Sequence, residues 1–324
     1  MNSKILNSYP TWSPDRPTSR GATAYHDAVV DASWHKTNIQ GLIEIVKKNI
    51  CSDDIVIDFG AGTGASTVYL LQDLNSKVHM CVMDNSASWL GKAFAILNKH
   101  KNIYFYLLGR KDSGFMTPDD IMGKNVADHV LSANTVHLIP NIESTFRGIY
   151  TVLKPGGRFT FQSGNILRKG KANGVLMIDD TVKEIHDIAL DLIRLDKTFV
   201  DYASDLKSRI KAQAKQRKFV FPDPRPIDYY LKILKSVGFK NTNVIHKKIK
   251  VKFNDWMDFV RVRRLQAGIL PEVGGKDATQ QEELDRDTLI SKAAKILFKK
   301  LKTKNPLTNN QSFVAEWIYV QATK

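Results

Sequence analysis

The chain has 324 residues, 43% of them apolar, and carries 48 Lys and Arg against 33 Asp and Glu, a formal net charge of +15. That is enough for one large domain, or a core with insertions, and the composition is that of a folded protein rather than a disordered one. No apolar stretch is long enough for a membrane span, the polar, proline-bearing Met1 to Arg20 lacks a signal-peptide core, and two cysteines make no disulfide framework, so a cytoplasmic protein with reduced thiols is expected.

Through the first half, short apolar runs alternate with longer helical ones, the pattern of a parallel sheet with crossover helices. Strands are predicted at Ile55 to Phe59, Lys77 to Asp84, Asn102 to Leu107, Ala127 to Ser132 and Arg158 to Ser163, and helices at Ala65 to Leu74, Ser86 to Lys99 and Asn141 to Leu153. Pro155-Gly156-Gly157 should stop the last of these helices. After Ser163 a helical, increasingly basic stretch from Asp179 to Lys218 is broken by Phe221-Pro222-Asp223-Pro224-Arg225-Pro226, which predicts an insertion. Then come a helix from Ile227 to Val237 ending at Gly238, a strand from Thr242 to Phe253, helical segments at Trp256 to Gly268 and Leu284 to Leu301, and a final alternating strand from Phe313 to Ala322. The positive charge gathers in Lys207 to Lys218, His246 to Lys250, Arg261 to Arg264 and Lys292 to Lys304. Such patches either attract anionic partners or solubilise the surface, and charge alone does not choose.

The chemistry is concentrated in Asp58-Phe59-Gly60-Ala61-Gly62-Thr63-Gly64, between the first strand and the first helix. Glycines there permit positive φ and close approach of a ligand to the backbone. Gly60-x-Gly62-x-x-Ala65 with Asp84 about 20 residues on also fits a dinucleotide fingerprint, so the loop by itself leaves two ligands open. Three further landmarks discriminate. Asp84-Asn85-Ser86-Ala87-Ser88-Trp89-Leu90-Gly91-Lys92-Ala93 follows a D-x-S-x-x-M-L-x-x-A pattern with Trp in the Met place, Ala127-Asp128-His129-Val130-Leu131-Ser132 follows it, and Leu153-Lys154-Pro155-Gly156-Gly157-Arg158-Phe159 lies downstream.

Together the four landmarks resemble the class I S-adenosylmethionine (SAM) dependent methyltransferases, over roughly residues 50 to 165. The resemblance implies an α/β fold with a doubly wound, seven-stranded sheet in order 3-2-1-4-5-7-6, the last strand antiparallel, and helical lid insertions over the carboxyl ends of the strands. It divides the chain into an N-terminal helical lid (1–50), a SAM-binding core (51–165), a helical insertion capping the acceptor (166–225), and a segment that completes the sheet (226–324) and carries a second insertion at about 255–304.

Residue roles follow from the same resemblance and the needs of SAM. Asp84 would accept hydrogen bonds from the ribose diol, or cap the next helix; Asp58 would face the positive methionine end; Gly60, Ala61, Gly62 and Gly64 would line the cofactor with backbone, beside Asn85. Trp89 would cover adenosine or pack in the core. An acid usual after the third strand is missing from Gly109-Arg110-Lys111-Asp112, so either Asp112 substitutes or backbone near Gly109 holds adenine with Arg110 stacked on it. Asn134 would contact the methionine end, and His137 and Tyr25 are the candidate catalytic groups, His137 as general base or as a packing histidine, Tyr25 as a closing residue with Arg16, Arg20, His26 and Trp34 nearby. Phe199, Tyr202, Phe219, Phe221, Tyr229, Tyr230 and Trp256 would line an apolar acceptor pocket, or serve as core. No cluster of acidic ligands or Asn-Pro-Pro-Tyr tetrad is present, and no metal is expected.

The expected function is methyl transfer from SAM by in-line displacement to a small-molecule acceptor, anionic or apolar, or to one bound to an acidic carrier protein, as in the natural-product, carboxyl and malonyl carrier-protein methyltransferases that the insertion after the fifth strand resembles. The alternatives are an RNA methyltransferase, favoured by charge but without an RNA-binding module, and a SAM-binding protein without catalysis.

Overall fold

A computed structural model describes residues 2–15, 19–74, 78–111 and 114–324; Arg16, Lys77 and Asp112 lie outside the described residues. Helices α1 (Asn2–Leu6), α2 (Arg20–Val30) and α3 (Ser33–Val46) precede the first strand. Five parallel strands then form at the five apolar runs: β1 (Ile55–Phe59), β2 (His79–Asp84), β3 (Ile103–Leu107), β4 (Ala127–Ala133) and β5 (Leu153–Ser163), connected through α4 (Ala65–Leu74), α5 (Ala87–Leu97), α6 (Pro118–Met122) and α7 (Ile142–Val152). β1 and β2 are buried along their whole length, as central parallel strands covered on both faces must be. Their side chains alternate between two apolar cores: Val56, Met80 and Val82 face one, and Ile55, Ile57, Cys81 and Met83 the other.

The second half begins with α8 (Ile178–Leu195), α9 (Val200–Ala203) and α10 (Leu206–Val220), so the basic stretch expected as one helical insertion is three helices. Next, α11 (Ile227–Val237) ends at Gly238, whose φ of 114° is the left-handed cap that a glycine supplies without strain. Strand β6 (Lys240–Lys252) leads into α12 (Phe253–Val260), α13 (Arg263–Ile269) and α14 (Gln280–Lys304), and β7 (Ser312–Thr323) closes the sheet by running antiparallel between β5 and β6. The resulting order, 3-2-1-4-5-7-6, is the expected one. Phe253, expected to end a strand, opens a helix, and the segment expected as one helix from Trp256 to Gly268 breaks between Val260 and Arg263. No helix among the described residues is long and apolar enough to cross a membrane.

Packing joins the insertions to the sheet. Val182, Ile185, Ala189 and Ile193 of α8 and Leu289, Ile290, Ala293 and Leu297 of α14 share one core with Leu70, Leu90 and Leu97 beside the sheet. Helix α3, grouped by sequence with a lid, belongs to that core through Ile39, Leu42, Ile43 and Val46, because its apolar face pairs with the sheet. Within the cap, the loop from Leu270 to Val273 is buried and held by long cations: Arg286 donates to the carbonyls of Val273 (3.2 Å) and Gly275 (2.8 Å), and Arg217 to that of Ile269 (3.0 Å). His186 Nε2 lies 3.1 Å from a carboxylate oxygen of Glu272 in the same loop. At the sheet edge, β6 carries Lys240, Lys247, Lys248, Lys250 and Lys252, which block further strand pairing; this part of the positive charge serves the fold.

Candidate functional site

The loop after β1 takes its shape from its glycines. Gly60, Gly62 and Gly64 have φ of 69°, 57° and 85°, values a β-carbon disfavours. The amides of Gly60 and Ala61 donate to the carbonyl of Met83 at the end of β2, at 2.9 and 3.0 Å, so the loop and the neighbouring strand end form one rigid unit. A β-carbon on Gly60 would clash with the side chain of Thr135, whose hydroxyl donates toward the Gly60 carbonyl (2.9 Å). At Gly62 the nearest atom to such a carbon is on the Trp89 ring, 3.6 Å away.

Two carboxylates border this loop. Asp84, at the end of β2, accepts the amides of Gly62 (2.9 Å) and Ser86 (2.8 Å), one on each oxygen. Burial raises its pKa, opposed by those amides and by the Arg264 guanidinium. Asp58 is fully buried; Thr67 donates to one of its oxygens at 2.7 Å, and the other has no hydrogen-bond partner. Burial pushes the Asp58 carboxyl up to about 7, against the Thr67 hydrogen bonds and with the help of the Asp84 charge. A buried carboxylate oxygen without a donor is costly unless a cation or donor arrives. The positive methionine end of SAM is such a group, and the glycine cradle beside it admits backbone contact, so the residues present fit the cofactor.

Residues from outside the sheet converge on the same corner. Tyr25 of α2 sets its ring edge-on to Trp89 of α5 (4.5 Å between centroids) and meets Phe259 of α12 at 6.2 Å. Burial pushes the Tyr25 phenol up to about 12, so it stays protonated at neutral pH. His26 reaches Thr63 in the loop at 3.3 Å. Trp34 of α3 stacks on Trp317 of β7 at 5.9 Å and meets Trp256 and Phe259 of α12 at 6.0 and 5.5 Å, a continuous aromatic wall. Beyond β4, Asn134 takes a left-handed φ of 51°, accepts the Trp317 indole N–H (3.1 Å) and donates to Asn38 of α3 (3.4 Å). Asn38 also accepts from Gln162 of β5 at 3.1 Å.

His137 follows in a short 3-10 turn, its Nδ1 2.9 Å from the Ser163 hydroxyl. Burial, helped by Arg225, pushes its imidazole down to about 4, so it is neutral at pH 7. Gly109 leaves the sheet beside Asp84, because Leu108 donates its amide to the Asp84 carbonyl at 2.9 Å. Arg110 lies over the Phe115 ring at 5.2 Å within its own short ribbon, and exposed Asn85 flanks Asp84. The seven aromatic residues proposed for an acceptor pocket do not gather into one: Phe219 is 77% exposed, while Tyr230 packs on Phe161 in the opposite core. Helical spacing there marked separate surfaces of separate helices.

Thr67, Thr135, Asn38, Gln162, Phe259 and Arg264 were not found by sequence reasoning. Only Thr67 and Thr135, each close in sequence to a motif residue, carried a local signal.

A sheet in order 3-2-1-4-5-7-6, a glycine loop after β1 and acids at the ends of β1 and β2 define the class I methyltransferase architecture. A methyltransferase domain family model matches residues 50–219, just over half of the chain, and the chain belongs to that family: it is a SAM-dependent methyltransferase, with SAM as its cofactor. Among curated proteins, it is similar to the highly reducing polyketide synthase easB of Emericella nidulans, 28% identical over 109 residues, which are 32% of this chain and 4% of that one. The match thus spans a small fraction of the synthase. Phosphoethanolamine N-methyltransferase 2 of Haemonchus contortus, in complex with phosphomonomethylethanolamine and S-adenosylhomocysteine, aligns with a TM-score of 0.50 at 16% identity, over 94% of this chain and 57% of that one. A putative sarcosine dimethylglycine methyltransferase of Galdieria sulphuraria aligns with a TM-score of 0.51 at 11% identity, over 94% and 98% of the two chains. At these identities the two structures speak to the fold.

Proposed function

We propose that the protein moves the methyl group of SAM by in-line displacement to a small-molecule or carrier-bound acceptor, at oxygen, nitrogen or carbon. The observation that carries this reading is the glycine loop between Asp58, whose second carboxylate oxygen is buried without a donor, and Asp84, flanked by the aromatic rings of α2, α3, α12 and β7. SAM supplies a methyl group already activated on a sulfonium. The chain supplies position. In this reading Asp84 holds the ribose, Gly60, Ala61, Gly62 and Gly64 admit the cofactor against backbone with Asn85 and Gly109 at the rim, Asp58 balances the positive end, Trp89 covers adenosine, and Asn134 orients the methionine end. Tyr25 closes the site as a protonated phenol. His137, neutral at pH 7, offers a hydrogen-bond acceptor but only a weak base, which suits an acceptor that gives up its proton readily. In this reading the segment before α3 and the two insertions, 166–225 and about 255–304, surround a cofactor core at 51–165 that 226–324 completes.

Relatedness to polyketide synthases supports a carrier-bound acceptor. So does helix α10, where Lys207, Lys211 and Lys215 recur every fourth residue and are exposed, a positive stripe about 12 Å long suited to an acidic carrier. The test is incubation with methyl-labelled SAM and, separately, a small-molecule extract fraction, an acidic carrier protein loaded with acyl thioesters, and bulk RNA, with the label located by mass spectrometry. Label in either of the first two pools is expected. Label in RNA alone, with binding that weakens steeply in salt, makes the protein an RNA methyltransferase; SAM binding without label in any pool makes it a non-catalytic binder.

A further inference from the structure

The arginines of the second insertion differ in what they hold. Arg261 forms an ion pair with Asp287 of α14 (3.0 Å), and Arg263 pairs with Glu283 of the same helix. Arg264, next in sequence, makes no ion pair or hydrogen bond among the described residues. Its guanidinium carbon lies 5.1 Å from the centre of the Trp89 ring, and its charge acts on both Asp84 and Tyr25. An exposed arginine, free to reach solvent, thus sits on the tryptophan and beside the carboxylate that the reading above gives to adenosine. The two pinned neighbours explain how it is delivered, since they tie the start of α13 to α14 and leave the third side chain over Trp89.

A guanidinium is planar, stacks on aromatic faces and donates several hydrogen bonds in a fixed fork. An adenine face and a ribose edge are the surfaces such a group engages. We propose that Arg264 is the adenosine clasp of this enzyme: a cofactor-positioning residue supplied by the cap, which ties occupancy of the nucleoside site to the seating of residues 253–275. The same arm carries Trp256 and Phe259 of the aromatic wall. Cofactor binding therefore completes the acceptor side of the site, and the acceptor enters second. This rests on the assignment of Asp84 and Trp89 to the nucleoside.

The experiment compares the full-length protein with Arg264→Gln, Arg264→Lys and Asp84→Ala, measuring S-adenosylhomocysteine binding by calorimetry and hydrogen exchange of 253–275 with and without that ligand. Arg264→Gln should bind about tenfold more weakly, with an unchanged melting temperature, and should lose the ligand-induced protection of the arm that the native chain shows. Arg264→Lys, which keeps the charge but not the planar fork, should recover only part of both. Binding within twofold of native in Arg264→Gln, or the same protection, overturns the clasp while Asp84→Ala still loses affinity. Native binding in Asp84→Ala overturns the nucleoside assignment itself, and the clasp with it.

Discussion

The end of β1 and the 269–275 loop of the cap both bury charge, and they do so on different supports. Asp58 and Asp84 sit at strand ends fixed by parallel ladders and take hydrogen bonds from residues within a few positions of the glycine loop or the next helix start. The cap loop is fixed by Arg217 and Arg286, arriving from α10 and α14, and by His186 from α8. The sheet therefore preorganises the cofactor half. The 269–275 loop adds to its apolar packing a handful of long side chains from three helices.

Arg286→Ala should separate the two most sharply. It removes donors from two buried carbonyls and leaves a cavity in a side chain that is 2% exposed, so about 3 kcal/mol of stability should be lost, measured by urea denaturation. Hydrogen exchange should place the loosening in the cap and leave β1 and β2 protected. Loss of protection throughout would show that the two halves cannot be separated.

Asp84→Ala tests the opposite half. Calorimetry should give about a hundredfold weaker binding of SAM, because hydrogen bonds to a charged group are worth about 1.5–3 kcal/mol each. The cap should keep its exchange pattern.

The pH response of Asp58 is a subtler probe. With its folded pKa raised to about 7, the folded chain holds a proton that the unfolded chain has released, so stability falls as pH rises through that window and the cost is fully present above 7. A cationic ligand favours the ionised form, so SAM affinity should rise about tenfold from pH 6 to pH 8. Asp58→Asn should flatten both dependences; an unchanged affinity slope in that variant would move the cation away from Asp58.

The smallest stability change belongs to the surface of α10. Lys207, Lys211 and Lys215 changed together to Glu should cost no more than about 0.5 kcal/mol per site and leave SAM affinity intact. Turnover of carrier-bound acceptors should fall severalfold while free acceptors are unaffected; equal turnover of both would remove α10 from acceptor delivery.

The contrast also explains what could be read beforehand. Ile55 to Phe59, the glycines and Asp84 speak through local chemistry: apolar runs, positive φ, a carboxylate after a strand. Leu153-Lys154-Pro155-Gly156-Gly157 marked the end of α7 for the same reason, although strand pairing already begins at Leu153. Arg264 was one member of a basic run, and nothing in its neighbours says that Arg261 and Arg263 turn toward α14 while it faces Trp89. Of the two readings of the aromatic residues in the insertions, core is the one Phe199, Tyr230 and Trp256 meet, since helical spacing reports that a face is apolar and is silent on which neighbour covers it. Asn38, Gln162 and Trp317 are brought together from α3, β5 and β7 by tertiary structure alone.

Strand β7 has a further consequence, for the order of events during synthesis. It is the last strand of the sheet to leave the ribosome, yet it lies between β5 and β6. Until it arrives, β6 has no neighbour to join, Asn134 lacks the indole of Trp317, and Asn38 lacks the phenol of Tyr319, which donates to its carbonyl at 3.0 Å. The glycine loop is thus encoded early, whereas the Trp34–Trp317 stack and the contacts that hold Asn134 and Asn38 form only once β7 has emerged.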